Sequence, residues 1–181
     1  GGAVTTNNKK IYSKVEVLKN HGRNKTEAIF KEVSNNYRLS EIQSIVGYHQ
    51  SKYLRSNLLH RNSIAKIYLN KLKNINLVQL PKIYKNSFNT FWRFPLNIKS
   101  SINRYKLQKK LREKWKIRIT WMYEPLCHQQ KIYKQKSIKL PISEKYISSL
   151  INLPTHTFIS PKTAKRIVSK FLLEIKRLEL K

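Results

Sequence analysis

The chain has 181 residues, 40% of them apolar or aromatic, and a formal net charge of +29. That apolar share is enough for a buried core and excludes a disordered chain. A single cysteine excludes an intrachain disulfide, and no apolar run approaches the roughly 20 residues of a membrane-spanning helix.

The charge points to a nucleic-acid partner or another anionic surface. However, all nine acidic residues are Glu, none is Asp, and the Lys and Arg residues are spread along the whole length. A drift in base composition gives the same profile, so both origins stay open. One Cys makes a reducing compartment the default, which for this chain means the cytoplasm. The opening "GGAVTTNNKK" is neither a signal nor a transit peptide and reads as the middle of a domain.

In chain order, "AVTT" is a short β-prone run bounded by "GG" and "NN". "KKIYSKVEVLKN" follows with Ile11, Val15 and Leu18 at helical spacing, and Gly22 is a plausible stop. Ser40 and Gln43 have capping-box spacing at the start of a long helical signal that runs to Asn74. Ile42, Ile45, Val46, His49, Tyr53 and Leu54 make its first stripe. Leu58, Ile64, Ile67, Tyr68 and Leu72 make its second. Two helices, or one long bent helix, fit.

From about residue 75 the pattern is strand, helix, strand, short helix, long helix. "SFNTFWRFPLNI" alternates through Phe88, Thr90, Trp92 and Phe94, with Pro95 ending the run. "NRYKLQKKLREKW" is helical, with Leu107, Leu111 and Trp115 on one face. "KIRITWMYE" alternates through Ile117, Ile119, Trp121 and Tyr123. "SEKYISSLINLP" reads as a short helix with Ser143 as candidate N-cap. The last helix has Ser160 as cap, Pro161 at its first position, and Ala164, Ile167, Val168, Phe171, Leu172 and Ile175 as buried stripe. The expected organisation is a mainly helical segment over 1–74 and a small α+β domain over 75–181.

Chemistry-bearing clusters are scarce. Five scattered His and one Cys offer no metal site. Cys127 and His128 are sequence neighbours, a poor geometry for a nucleophile and its base. The basic helix "NRYKLQKKLREKWK" fits a solvated face better than a phosphate backbone. Trp92 and Trp121 fit core packing better than base stacking.

"NNYRLSEIQ", residues 35–43, stands apart. Asn36 offers an amide, Tyr37 a hydroxyl and Arg38 a planar fork, just ahead of a helix start. Free N–H groups and the positive dipole end there favour an anion, so these groups could hold a phosphate. The plain alternative is a turn followed by a surface charge.

"GGAVTTNN", "LKNHGR", "NNYRLSEIQSIVGYHQSKYL", "WMYEPLC" and "LINLPTH" with its closing helix resemble, in order and spacing, the DegT/DnrJ/StrS family. These are pyridoxal-phosphate-dependent sugar-nucleotide aminotransferases of the type I aminotransferase fold, an α/β fold with an α+β small domain. The resemblance covers nearly the whole chain. It implies that residues 1–74 are the end of the large cofactor-binding domain with bridging helices, and that 75–181 are the small domain. It also implies that Asn36 reaches across a homodimer interface to the cofactor phosphate of a second subunit, with Arg38 near the same anion.

In the family the Schiff-base lysine and the aspartate facing the pyridine nitrogen precede the segment that matches this chain. The chain is therefore expected to be a C-terminal part, without a catalytic residue of its own and inactive alone. Its partners would be a missing N-terminal half or a second copy, a nucleotide sugar, and an amino donor such as glutamate. Nucleic acid would bind only non-specifically. The alternative is a basic nucleic-acid-binding protein. Ser34 and Asn35 stand where the family has Gly and an aromatic, Asn8 where it has Asp, Cys127 where it has His, and the region of Lys116 where it has Gly. Each lost Gly implies strain wherever a positive φ was used.

Overall fold

The computed structural model describes residues 2–24, 29–133 and 138–180. Gly1 and Lys25, which belong to the expected strand border and helix stop, lie outside them. Chain contacts divide the molecule into two compact units, Gly1–Leu54 and Arg55–Lys181.

The first unit holds α1 (Lys9–Leu18) and α2 (Glu41–Lys52). Asn8 caps α1, its Oδ1 accepting from Lys10 N–H and Ile11 N–H at 2.9 and 3.3 Å. An Asp would do the same, so this departure from the family pattern costs no cap. Ser40 and Gln43 form the expected capping box on α2, with paired bonds of 3.1 and 3.3 Å. Residues 3–6 form no strand. The expected stripe on α2 lies open: Ile42, Ile45 and Val46 are exposed and the helix buries no residue. Amphipathic spacing names the face that would be buried, but among the described residues nothing covers it.

The second unit is a three-stranded antiparallel sheet, order β1-β2-β3, with helices packed on it. Its elements are α3 (Leu54–Leu72), β1 (Val78–Gln79), β2 (Phe94–Ile98), α4 (Arg104–Trp115), α5 (Pro141–Ser149), β3 (Leu150–Leu153) and α6 (Pro161–Glu179). The contact boundary falls after Leu54, the first residue of α3, earlier in the chain than the border expected after residue 74. The reason is burial: Ile64, Ala65, Tyr68 and Leu72 of α3 enter the same core as Phe94, Leu96, Leu107, Leu111, Ile151, Phe171 and Ile175. A helix belongs to the unit in which its stripe is buried.

Three further expectations change. β2 begins at Phe94, where the sequence had its strand ending, and it contains Pro95. Phe91, Phe94, Leu96 and Ile98 are buried, while Phe88 and Trp92 are each 60% exposed. Pro95 is tolerated because β1 pairs only with Asn97 and Ile98, so at Pro95 one side of β2 is an open edge. The stretch 117–123 is no strand; it makes a single bridge, Thr120 to Asn152, although Ile117 and Ile119 are buried as the alternation required. α5 starts at Pro141, not at Ser143, and "LINL" is the third strand, pairing with β2 from Phe94↔Leu153 to Asn97↔Leu150. Its buried pattern of three consecutive residues has no period of two to betray it.

α6 matches its expectation: Ser160 accepts from Thr163 N–H at 3.1 Å and Pro161 opens the helix. Lys116 ends α4 with φ 55°, the left-handed conformation that a glycine would adopt without cost, and Ile117 N–H closes the turn on Leu111 O at 2.9 Å. Ser34 is not among the positive-φ residues, so the strain implied by a lost glycine falls on Lys116 alone of the two.

Candidate functional site

The polar segment 34–40 is fixed from behind by the end of α1. Ser34 Oγ donates to Leu18 O at 2.7 Å, His21 N–H to Asn35 O at 3.1 Å, and Tyr37 N–H to Lys19 O at 3.0 Å. Asn20 and Asn36 form an isolated antiparallel bridge. Gly22 permits the close approach of the loop that leads there: at φ +80°, a Cβ on it would stand 1.7 Å from the carbonyl oxygen of Glu32. The carbonyl of Gly22 accepts from Lys31 N–H and Glu32 N–H at 2.7 and 3.2 Å.

Asn36 and Arg38 are exposed and bonded to each other. The Oδ1 of Asn36 accepts from the backbone N–H of Arg38 at 3.2 Å and from its Nε–H at 3.1 Å. The amide thus orients the guanidinium and keeps its own Nδ2 group as a donor. Among the described residues neither that Nδ2 nor the Nη groups of Arg38 make a hydrogen bond. Asn35 and Tyr37 form a second local pair, Nδ2 to hydroxyl, at 3.3 Å. Arg38 lines an open groove of about 950 Å³ together with Tyr12, Lys19, Tyr37 and Gln43; Asn36 stands outside that lining. Exposed amide and guanidinium donors beside a helix N-terminus match what an oxyanion requires.

The other candidates are absorbed by structure. Cys127 is an exposed free thiol, but the ring of His128 is engaged by Glu144 at 2.9 Å rather than by the sulfur. Hydrogen bonds from Leu140 N–H and from His128 hold the Glu144 carboxyl below the usual range. Burial pushes the Tyr68 phenol up, and its hydroxyl donates to Pro154 O at 2.8 Å. Among the described residues no group of His, Cys or acidic side chains has metal-binding geometry. Among the described residues no helix is long and apolar enough to cross a membrane.

The sheet, its covering helices and the two helices before them recur in solved aminotransferases. A DegT DnrJ EryC1 StrS aminotransferase from Brucella abortus superposes with a TM-score of 0.83 at 24% identity, over 93% of this chain and 44% of that one. NtdA from Bacillus subtilis, solved with bound cofactor PMP, gives 0.84 at 23% identity, over 94% and 41%. The fold is thus that of pyridoxal-phosphate-dependent aminotransferases, in the portion this chain covers. The profile of the DegT/DnrJ/EryC1/StrS aminotransferase family matches residues 1–172, and the chain belongs to that family.

Among curated relatives, dTDP-3-amino-3,6-dideoxy-alpha-D-galactopyranose transaminase of Aneurinibacillus thermoaerophilus is 31% identical over 93% of this chain and 45% of its own length. GDP-perosamine synthase of Escherichia coli O157:H7 is 31% identical over 88% and 43%. The chain thus spans less than half the length of these relatives. The alternative of a basic nucleic-acid-binding protein finds no support in these matches.

Proposed function

We propose that this chain is the C-terminal part of a pyridoxal-phosphate-dependent aminotransferase acting on a nucleotide-linked keto sugar, in amino-sugar or surface-polysaccharide biosynthesis. The family match carries the activity; both quoted relatives are named for nucleotide-linked amino sugars. The observation that carries the site is the bonded pair Asn36–Arg38, exposed and with donors to spare.

In this reading Arg38, held by Asn36, donates to the cofactor phosphate of a second subunit. Asn36 adds its Nδ2. The cofactor, when bound, supplies the electron sink of transamination. The lysine that anchors it is expected outside these 181 residues, so the chain alone is inactive. The assembly is a cytoplasmic homodimer with glutamate as amino donor. The uncovered stripe of Ile42, Ile45 and Val46 on α2 supports a further protein surface against the first unit.

The test is reconstitution. The chain is co-expressed with the N-terminal half of a family relative that carries the lysine, and cofactor retention is read from the visible spectrum after desalting. The expected result is stoichiometric retention by the pair and none by the chain alone. Retention by the chain alone, mapping to one of its own lysines after borohydride treatment, defeats the reading.

A further inference from the structure

We draw no further inference here: the strongest candidate, the exposed apolar face of α5 that carries Ile142 and Tyr146, is unpartnered, and nothing in the structure shows what covers it.

Discussion

The indole N–H of Trp115 donates to the buried carboxylate of Glu174 at 3.0 Å, tying α4 to α6. Arg177 Nη1 donates to the same Oε1 at 3.1 Å, so a residue only 2% exposed carries its charge with two donors on it. Burial raises the Glu174 pKa, but the Trp115 bond and the nearby cations, Arg177 foremost, more than offset this, and the carboxyl sits below the usual range. A depressed carboxyl contributes stability above its unfolded value and loses it as pH falls through the folded value. Glu174→Gln should therefore melt lower than wild type at pH 7, and the gap should close on acidification. Glu174→Leu leaves the Trp115 donor unpaired and should cost about 1–3 kcal/mol by urea denaturation. A gap for Gln that is constant from neutral to acid pH contradicts this account.

Arg104 is 4% exposed at the first turn of α4. It donates to the Ile147 carbonyl and to Glu124, and its guanidinium stands 4.6 Å from the Trp121 centroid and 5.2 Å from that of Tyr105. The fork and the flat face are both in use, and an ammonium has neither. Arg104→Lys keeps the charge yet should lose about 2 kcal/mol by urea denaturation, consistent with one or two charge-assisted bonds. A loss within error of zero would show that charge alone matters there.

Lys116 holds φ 55° at the end of α4. A side chain in that region costs on the order of 1 kcal/mol that glycine avoids. Lys116→Gly should stabilise the protein by roughly 0.5–1 kcal/mol, read as a higher urea midpoint at unchanged slope. Equal or lower stability would mean that the lysine stem repays the strain through packing.

Legibility in the sequence followed the range of the interaction. Helices whose local caps were named in advance were readable: Ser40 with Gln43, and Ser160, act within three residues of themselves. Strands were not, because a strand is defined by its partner. Pro95 looked like a terminator, yet the shortness of β1 makes it harmless. "LINL" read as helix because burial on both faces erases alternation. Of the candidate site, the sequence carried the residue types Asn36 and Arg38 but not their mutual bond, nor the anchoring of the loop to α1. The open cavity that Arg61, Arg93 and Arg118 line together was out of reach. "FWRF" and "KIRIT" do set Arg93 and Arg118 between apolar neighbours, but Arg61 joins them only through the fold.

Gly22 should tolerate no side chain. Its φ of +80° and the 1.7 Å approach to Glu32 O act together. Gly22→Ala should cost about 2 kcal/mol or more, beyond the strain of a positive φ alone. The loss should be local, so limited proteolysis within residues 19–40 is the sensitive readout, with the melting of the Arg55–Lys181 core little changed. Unchanged cleavage would mean that the loop re-forms without this contact.

The last prediction separates the two roles of Asn36. Its Oδ1 orients Arg38, and its Nδ2 is free to donate to an anion. Asn36→Asp retains the acceptor and replaces the donor by negative charge. Asn36→Ala removes both. Arg38→Lys keeps the charge without the fork. In the reconstituted enzyme, Asn36→Asp should weaken cofactor binding most, because a carboxylate then faces a phosphate. Asn36→Ala should weaken it by about 1.5–3 kcal/mol, the usual worth of a hydrogen bond to a charged group. Arg38→Lys should fall between wild type and Asn36→Ala. Apo stability should hold in all three, since both side chains are exposed and bond only each other. Cofactor titration beside melts without cofactor gives both quantities. If Asn36→Asp binds as well as wild type, no phosphate lies within reach of Asn36. If the variants lose apo stability in step with affinity, the pair is a structural turn and the assignment of the site is wrong.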